Sequence, residues 1–343
     1  MNVSDFDFYL PPELIAQTPL KERDASRLLV TERWGNRLED RQFRDIVDYF
    51  QAGDVLVINE TRVIPARLFG VRADTGGSVE LLLLRPFGNG RWEVLVKPGR
   101  RARVGMRIEF SSQLACTVVD VTPVGGRLVD FEFSGDFDQI LEELGETPLP
   151  PYIHARLDDK ERYQTVYSKD PGSVAAPTAG LHFTPQLLDE IRGRGTRIVP
   201  LILHVGLGTF RPVQTERVED HKMHAEYFEL SPESAEAINA CRTQGGRVWA
   251  VGTTTVRVLE TQAEPSAGGW MVRPGSGWTD IFIYPGCEFR IVDVLVTNFH
   301  LPKSSLIMLV AAFAGLDTVK HAYAHAVAER YRFFSFGDAM LLL

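Results

Sequence analysis

Six short strand-like segments follow one another between residues 65 and 135, and this block restricts the possible folds more than any other part of the sequence. Between them lie Gly76-Gly77, Asn89-Gly90 and Gly125-Gly126, pairs that tight hairpin turns favour. Strands at such close spacing predict a small barrel or sandwich, and we expect a six-stranded antiparallel β-barrel. The segments read ARLFGVR, SVELLLLR, RWEVLVK, MRIEF, LACTVVDV and RLVDFEF.

The remainder of the chain alternates strand-like and helix-like segments. GDVLVIN, TRIVPLILHV, RVWAV and FRIVDVLVTNF have the apolar composition of strands, and TPQLLDEIRGRG and SPESAEAINACRTQGG carry the end signals of helices. This alternation predicts an α/β domain with a mostly parallel sheet. A chain of 343 residues is also long for one core. We therefore predict that a barrel domain, residues 65–150, is inserted into an α/β domain formed by residues 1–64 and 151–343.

Composition is that of an ordinary globular protein. Apolar residues make up 44% and charged residues 24% of the chain, and the longest apolar run, 306–314, is far shorter than a membrane span. The acidic N-terminus MNVSDFDFYL lacks the pattern of a signal peptide, and the three scattered cysteines form neither a disulfide framework nor a metal-binding spacing. We therefore expect a cytoplasmic protein that needs neither a membrane nor a metal.

One segment is strongly basic although the net charge of −8 argues against general binding of nucleic acids. KPGRRARVGMR contains Lys97, Arg100, Arg101, Arg103 and Arg107 and no acidic residue. Two interpretations remain open for it: a solvated turn of the barrel, or a patch that contacts phosphates.

Polar residues collect directly after four of the predicted strands. Because the C-terminal ends of parallel strands share one edge of a sheet, where ligands bind, these four loops predict a polar crevice. GDVLVIN ends at Asn59 and is followed by Glu60, Thr61 and Arg62. LILHV, which contains His204, is followed by Gly206, Gly208, Thr209 and Phe210, VWAV by Thr253, Thr254 and Thr255, and VLVTNF by His300.

The ligand is less constrained than the crevice. No Walker pattern occurs and GLGTFR lacks the third glycine of a dinucleotide fingerprint, so neither a nucleoside triphosphate nor NAD is supported. GTTTVRVLE predicts either a helix start that binds a carboxylate or phosphate, or a capped helix without a ligand. EDHKMHAEYFEL permits a metal cluster of His221, His224 and Glu226, a hydrogen-bonding role for the last two, or a plain exposed strand. We expect no metal, because the HExxH pattern is missing.

The stretch GSVAAPTAGLHFTPQLLDEI, residues 172–191, places permissive backbone directly before a helix that Thr184 and Pro185 begin. It is either a long surface loop or a binding loop whose amides and His182 face a ligand. Its neighbours at the strand ends favour a loop that shapes the crevice, in which Gly180 lets the backbone come close to the ligand.

Nine longer segments between Asp5 and Leu306 occur in an order known from one family, and the similarity continues to YRFFSFGDAML near the C-terminus. They read DFDFYLPPELIAQTP, RDASRLLV, GDVLVINETRVIPARL, AAPTAGLHFT, LHVGLGTFRPV, HKMHAEYF, VGTTTVRVLE, GWTDIFIYPG and LVTNFHLPKSSL. On these segments the chain resembles the S-adenosylmethionine:tRNA ribosyltransferase-isomerase family of the queuosine pathway. The barrel block matches this family least closely.

The resemblance implies an activity, a fold and two partners. Members transfer and isomerise the ribosyl group of S-adenosylmethionine onto the aminomethyl group of 7-aminomethyl-7-deazaguanine at the tRNA wobble position, giving epoxyqueuosine-tRNA, adenine and methionine. The partners are then S-adenosylmethionine and the tRNA that carries this base. No separate cofactor is expected, because S-adenosylmethionine is a consumed substrate. The implied fold is an α/β domain with an inserted small β-barrel, and we expect a monomer.

This chemistry accounts for the residue types in the loops. Protons must move at the 5′ carbon beside the sulfonium, at the aminomethyl nitrogen and at the departing adenine, and histidine supplies such transfers near neutral pH. The GTTT segment or Arg62 would bind the methionine carboxylate, and Phe183, Phe210 or Phe299 would surround adenine. We expect catalysis from His204, His182, His300 and Glu226. We expect binding of S-adenosylmethionine and the base by Asn59, Thr61, Arg62, Pro177, Thr178, Gly180, Phe183, Gly206, Gly208, Thr209, Phe210, Thr253, Thr254, Thr255 and Asp280, and contacts to tRNA by Lys97, Arg100, Arg101 and Arg103.

Two other function classes remain possible on the sequence. An S-adenosylmethionine-binding enzyme that acts on a free small molecule would turn over the free deazaguanine base without RNA. A non-catalytic RNA-binding module would place the function in the barrel, which does not account for the His, Thr and Gly residues on the loops of the other domain.

Overall fold

The computed structural model describes residues 1–122, 125–155, 157, 159–206 and 213–343, and for Arg101 the backbone only. These residues form two compact units. The first, called the α/β unit, comprises residues 1–62, 150–170 and 176–343, and the second, called the barrel unit, comprises residues 63–149 and 171–175. The domain boundaries that the sequence predicts, at residues 64/65 and 150/151, stay a prediction.

Strands and helices are distributed over both units. The strands are β1 (Arg27–Thr31), β2 (Leu38–Gln42), β3 (Val55–Asn59), β4 (Thr61–Val63), β5 (Arg67–Arg72), β6 (Ser78–Gly88), β7 (Arg91–Lys97), β8 (Arg107–Glu109), β9 (Leu114–Val121), β10 (Arg127–Phe133), β11 (Asp170–Ser173), β12 (Arg197–Leu203), β13 (Glu226–Leu230), β14 (Val248–Val251), β15 (Ala263–Ser266), β16 (Gly269–Val272), β17 (Gly275–Thr279), β18 (Val294–Asn298) and β19 (Ala339–Leu342). The α-helices are α1 (Phe137–Leu144), α2 (Pro185–Gly193), α3 (Pro232–Thr243), α4 (Gly252–Thr261), α5 (Ser305–Ala314) and α6 (Leu316–Ala328). Short 3₁₀ helices include Arg23–Ala25, Phe43–Tyr49, Gly99–Arg101 and Thr178–His182.

A mixed sheet with nine described strands forms the centre of the α/β unit. Its order is β17-β13-β12-β3-β14-β18-β19-β1-β2. The central strands β12, β3, β14 and β18 are parallel, whereas β13 and β17 add antiparallel on one side and β19 pairs antiparallel with β18 on the other. The predicted α/β class is therefore confirmed, with its parallel strands at the centre of the sheet. The antiparallel additions need no crossover helix, which is why alternation along the sequence does not reveal them.

Three of the four central parallel strands are buried throughout. Every residue of β3, β14 and β18 is buried. Near-continuous apolar strands of this kind are expected where helices cover both faces of a sheet. One side of the core packs Leu56, Trp249 and Val296 against Phe183 and Ile191, the latter from α2. This packing fixes the ends of the parallel strands along one edge of the sheet.

Helices α5 and α6 are joined at Gly315, whose φ of +94° permits the change of direction between them. Residues Met308, Val310 and Phe313 of α5 are completely buried in the protein. No single described helix has the length and the apolar composition needed to cross a membrane. Helices α5 and α6 reach that length and composition only when they are taken together, and they are bent by 116° relative to each other.

The barrel unit contains a closed six-stranded barrel, as the sequence predicts. Its order is β10-β7-β6-β5-β8-β9, with every pairing antiparallel. Alternate residues of β6, namely Val79, Leu81 and Leu83, point inward and are buried. Gly70 on β5 is required by close packing, because a Cβ there would lie 2.7 Å from the carbonyl oxygen of Glu109.

Candidate active site

A cavity of about 140 Å³ lies in the α/β unit where the parallel strands end. Strand β14 ends at Val251, β18 ends at Asn298, and Val205 follows the end of β12. Within the described part of the chain, none of the side chains that line the cavity carries a formal charge. The lining residues are Tyr152, Ala176, Pro177, Thr178, Ala179, Val205, Gly252, Thr253, Thr254, Thr297, Asn298, His300, Leu301, Pro302, Ser304, Leu306, Phe334 and Ser335.

Helix α4 begins at the rim of this cavity. Gly252, with a φ of +84°, makes the sharp turn from β14 into the helix. Thr253 and Thr254 line the cavity, whereas the hydroxyl of Thr255 donates to the Val251 carbonyl at 2.7 Å and is completely buried. Two of the three threonines of the GTTT segment therefore have access to a ligand, together with free amides of the first helical turn.

Asn298 is held in one orientation by partners on two other segments. Its Nδ2 donates to the Phe334 carbonyl at 3.2 Å and to Nε2 of His182 at 3.1 Å. The other ring nitrogen of His182, Nδ1, lies 2.7 Å from the hydroxyl of Ser26. Thr178 donates weakly to Oδ1 of Asn298, at 3.4 Å. Asn298 therefore presents its carbonyl oxygen, beside Thr178, to the cavity.

His182 is consequently part of the support of the cavity and does not line it. Its ring stacks on Phe43, with 4.9 Å between ring centroids, and both ring nitrogens have partners inside the protein. Burial, followed by the positive charge of Arg23, lowers the pKa of His182 to about 3. The imidazole is therefore neutral at pH 7 and positions Asn298.

His300 does line the cavity. Its Nε2 lies 2.8 Å from the hydroxyl of Thr297, and its backbone N–H donates to Tyr323 at 2.8 Å. Burial lowers the pKa of His300 to about 3. This neutral ring contributes a hydrogen-bonding group to the cavity without a charge.

His204 lies beside a second group of polar residues in the α/β unit. Its Nδ1 is 2.8 Å from the hydroxyl of Thr61, and its ring stacks on Tyr227. Burial lowers the pKa of His204, while the negative charge of Asp170 opposes that shift. Burial also raises the pKa of Glu60, to which Asp170 contributes by repulsion and hydrogen bonding. Asp170 therefore interacts both with the neutral imidazole of His204 and with the carboxyl group of Glu60.

Glu226 forms a buried ion pair with Arg257. Arg257 donates to one carboxylate oxygen of Glu226 and to the carbonyls of Ile281 and Thr279, at 3.3 and 3.2 Å. The other oxygen accepts a hydrogen bond from the Gly206 amide at 2.7 Å. These contacts make Glu226 an anchor for the start of the GLGTFR loop. Among the described residues, no group of three or more His, Cys, Asp or Glu is arranged to hold a metal ion.

The side chain of Asn59 also connects neighbouring segments through hydrogen bonds. Its Nδ2 donates to the Leu203 carbonyl at 3.0 Å and to Thr254 at 3.3 Å, and its Oδ1 accepts from the amides of Thr61 and Leu203, both at 3.1 Å. The side chain thereby joins the ends of β3 and β12 to the first turn of α4.

The loop before α2 divides into residues that line the cavity and residues that do not. Pro177 and Thr178 line it, and Phe183 lies in the core, completely buried. Gly180 is needed for a protein contact, because a Cβ there would lie 2.1 Å from the hydroxyl oxygen of Tyr167. This contact accounts for the glycine within the protein, and the ligand approach predicted for Gly180 stays a prediction.

The other predicted binding residues lie away from the cavity lining or outside the described residues. Arg62 forms an ion pair with Glu161, at 2.5 Å, and donates to Ser168 at 3.1 Å. Asp280 is exposed and follows the end of β17. Gly208, Thr209 and Phe210 fall in the segment 207–212, which lies outside the described residues.

Comparison with known proteins identifies the family. A family model described as "Queuosine biosynthesis protein" matches residues 3–342. The chain belongs to the queuosine biosynthesis protein family. Proteins named S-adenosylmethionine:tRNA ribosyltransferase-isomerase, from Symbiobacterium thermophilum and Pelotomaculum thermopropionicum, are 60% and 58% identical over 344 residues, with 100% of both chains covered in each case. The crystal structure of an S-adenosylmethionine tRNA ribosyltransferase from Thermotoga maritima is 39% identical with a TM-score of 0.56, and the match covers 99% of this chain and 100% of that one.

In this queuosine biosynthesis protein, the residues of the candidate site that sequence reasoning misses include Asn298, Ser26 and Asp170. Asn298 is the last residue of a buried strand, close before the predicted His300, and this position is an available signal. Ser26 and Asp170 act through His182 and His204, and no local pattern links residues so far apart in the chain.

The basic turn of the barrel unit is organised by Arg127. Its guanidinium donates to the carbonyls of Gly99 and Ala102, at 2.8 and 2.7 Å, and to those of Gly125 and Gly126 at 3.0 and 2.8 Å. The predicted tRNA contacts on this turn with described side chains, Lys97, Arg100 and Arg103, are exposed; the side chain of Arg101 lies outside the described residues.

Proposed function

We propose that the protein transfers and isomerises the ribosyl moiety of S-adenosylmethionine onto the aminomethyl group of 7-aminomethyl-7-deazaguanine at the tRNA wobble position. The products are epoxyqueuosine-tRNA, adenine and methionine. Full-length similarity to relatives of that name supports this function. The structural observation that carries it is the neutral cavity at the parallel strand ends, close in the chain to His204.

Geometry favours His204 over His182 for proton transfer. A base must be unprotonated and reachable, and His182 uses both ring nitrogens within the protein. His204 is half-buried, uses one ring nitrogen for Thr61, and has a lowered pKa that keeps it neutral. Glu60, whose carboxyl pKa is raised by burial, is proposed as the second group in the transfer. Burial disfavours the charged form of both groups, which lowers the pKa of the histidine and raises that of the glutamate.

The start of α4 is the better supported site for the methionine carboxylate. Arg62 is already paired with Glu161, and diverting it would break that ion pair. Thr253 and Thr254 offer hydroxyls and the positive end of the helix dipole at the cavity. Glu226, through Arg257 and Gly206, acts as a positioning residue for the adjoining loop.

The remaining features of the proposal concern partners and setting. The exposed cations of the barrel turn contact the tRNA backbone, S-adenosylmethionine is a substrate, and no metal or other cofactor takes part. The enzyme works as a monomer in the cytoplasm, which is consistent with three free cysteines. Light scattering during gel filtration tests the monomer, and unchanged turnover after dialysis against a chelator tests the independence from metal.

Release of adenine tests the reaction itself. The protein is incubated with S-adenosylmethionine and an anticodon stem–loop that carries 7-aminomethyl-7-deazaguanine, and adenine is measured by chromatography. We expect adenine only when the RNA is present. Adenine with the free base alone would favour an enzyme acting on a small molecule, and no adenine under any condition would favour a non-catalytic RNA-binding module.

A further inference from the structure

The orientation of the Asn298 amide follows from a backbone carbonyl and a histidine ring. The Phe334 carbonyl can only accept a hydrogen bond, so the group that faces it must be the NH₂ of Asn298. The second hydrogen of this NH₂ then points to Nε2 of His182, which leaves the ring hydrogen on Nδ1 to be donated to Ser26. The Ser26 hydroxyl in turn donates to the Arg23 carbonyl at 3.4 Å. Every donor in this series of hydrogen bonds is used, and the carbonyl oxygen of Asn298, which accepts a weak hydrogen bond from Thr178 at 3.4 Å, faces the cavity.

The ring of His300 is fixed by a similar argument. Thr297 is 1% exposed, and its hydroxyl has no acceptor other than His300 Nε2 in the part of the chain that the structure covers. If Nε2 carried the hydrogen, the Thr297 hydroxyl would be a buried donor without a partner, which costs free energy. Nδ1 of His300 therefore carries the hydrogen. His300 is thus a neutral ring with a donor, and it lines the same cavity as Asn298.

From this pair we infer that the cavity binds the adenine base of S-adenosylmethionine, which deepens the proposed function and rests on it. Oδ1 of Asn298 accepts a hydrogen bond from the 6-amino group, and Nδ1–H of His300 donates to the adjoining ring nitrogen. Asparagine often reads adenine with both ends of its amide, but here the amide nitrogen is already occupied. The donor therefore has to come from a second residue. His182 and Ser26 are positioning residues that fix the acceptor.

The character of the cavity walls favours adenine over the modified wobble base. The wobble base carries a cationic aminomethyl group and phosphates on both sides, and the lining contains no carboxylate, lysine or arginine among the described residues. Adenine is neutral, with flat apolar faces, and the walls offer Pro177, Ala179, Leu306 and Phe334 for packing.

Replacement of the 6-amino group by an oxygen tests this assignment. Binding of S-adenosylhomocysteine and S-inosylhomocysteine to the full-length protein is measured by equilibrium dialysis, which requires neither RNA nor turnover. An oxygen at position 6 faces Oδ1 of Asn298 without a hydrogen between them, so we expect the adenosyl compound to bind at least about tenfold more tightly. In Asn298→Ala this preference should fall to within about threefold.

The ratio of the two affinities separates recognition from structural damage, because a distorted protein loses both ligands together. Asn239→Ala is the matched control, since Asn239 bonds Val272 with both ends of its amide, at 2.9 Å each, and does not line the cavity. It should keep the wild-type ratio. His300→Phe should weaken binding of S-adenosylhomocysteine at least about fivefold; an unchanged affinity would remove the donor from the proposal.

Other outcomes overturn the assignment without deciding the enzyme's function. Equal affinity of the wild type for both compounds, or an unchanged preference in Asn298→Ala, would show that Asn298 does not read position 6. A loss of affinity for the modified RNA in Asn298→Ala, with the adenosyl preference intact, would assign the pair to the wobble base. If the wild type shows the preference and its loss in the variant but releases no adenine with RNA, the adenine site stands and the proposed reaction falls.

Discussion

At the scale of single residues, His204 is the side chain whose removal should most directly affect the chemistry. It is half-buried and uses only Nδ1 in its contact with Thr61. We expect His204→Ala to lower turnover at least about a hundredfold, the low end for one acid–base group. Initial rates of adenine release with modified RNA measure the effect.

A histidine outside the site provides the control for this substitution. His325 bonds Asp40 at the surface, so His325→Ala should stay within about threefold of the wild type. If His204→Ala also stays within that range, His204 has no role in proton transfer.

His182 should make stability depend on pH in a predictable direction. Its pKa is lowered to about 3 by burial, so the folded state leaves the ring neutral while the unfolded state binds a proton below about pH 6.5. Stability is therefore complete above pH 6.5 and declines as the pH falls towards 3. Between pH 7.5 and 5 the decline attributable to this ring is about 2 kcal/mol.

Urea denaturation of the wild type and of His182→Gln at both pH values measures this decline. The variant should be less stable at pH 7.5, because Asn298 and Ser26 are each deprived of a partner, yet its stability should fall by about 2 kcal/mol less between the two pH values. Equal falls in both proteins would mean that His182 is not neutral in the folded state. His300, whose pKa is also lowered to about 3 by burial, provides a second case of the same kind.

At the scale of elements, local signals in the sequence determine most of the secondary structure. The Thr184-Pro185 and Ser231-Pro232 pairs start α2 and α3. The barrel hairpins turn at Gly76, Asn89-Gly90 and Gly125, and each of these residues has a positive φ. Such signals act over a few residues. The antiparallel position of β19 beside β18 is not predictable in this way, because it depends on a strand near the C-terminus that returns between β18 and β1.

The basic turn of the barrel is an element whose charge can be tested. Arg100→Ala with Arg101→Ala should weaken tRNA binding and flatten its dependence on salt, since every phosphate that is no longer neutralised lowers the salt slope by nearly one unit. Filter binding at several salt concentrations measures both quantities.

The control for the turn removes two other positive charges from the same barrel. Arg91 and Arg107 are paired with Asp130 and Glu132, at 2.6 Å each, so they are not free to bind phosphate. Arg91→Ala with Arg107→Ala should leave the salt slope near that of the wild type. Equal slopes in all three proteins would assign the basic turn to solvation alone.

At the scale of the whole molecule, the position of the cavity is more predictable than the roles of its residues. The loops that follow parallel strands meet at one edge of the sheet. Thr253, Thr254 and His300, which the sequence predicts to bind the substrate or to act on it, line the cavity at this edge. Their roles depend on distant partners: His182 acts through Ser26 and Asn298, and Asn59 joins two strand ends. Hydrogen-bond partners separated by more than a hundred residues leave no pattern in the sequence.

The opposite edge of the sheet contains a buried, hydrogen-bonded carboxylate. Asp54, 2% exposed, precedes β3 and accepts hydrogen bonds from the Arg247 guanidinium at 2.7 Å, from Trp249 Nε1 at 2.9 Å and from the Gln51 amide at 3.0 Å. Burial acts to raise the pKa of Asp54, but the hydrogen bonds from Arg247 and Gln51 outweigh it and hold the pKa below its usual value.

Because Asp54 and the cavity lie at opposite edges of the sheet, we expect Asp54→Asn to affect folding without affecting the reaction. Removal of a buried carboxylate from among several donors should lower the free energy of unfolding by about 3 kcal/mol. Adenine release per folded molecule should stay within about twofold of the wild type, because Asp54 lies before the first residue of β3 and the cavity lies after the last residues of β14 and β18. Urea denaturation and initial rates on the same preparations give both values. A fall in rate as large as the one expected for His204→Ala would mean that the two edges of the sheet are coupled and that stability and catalysis are not separately encoded.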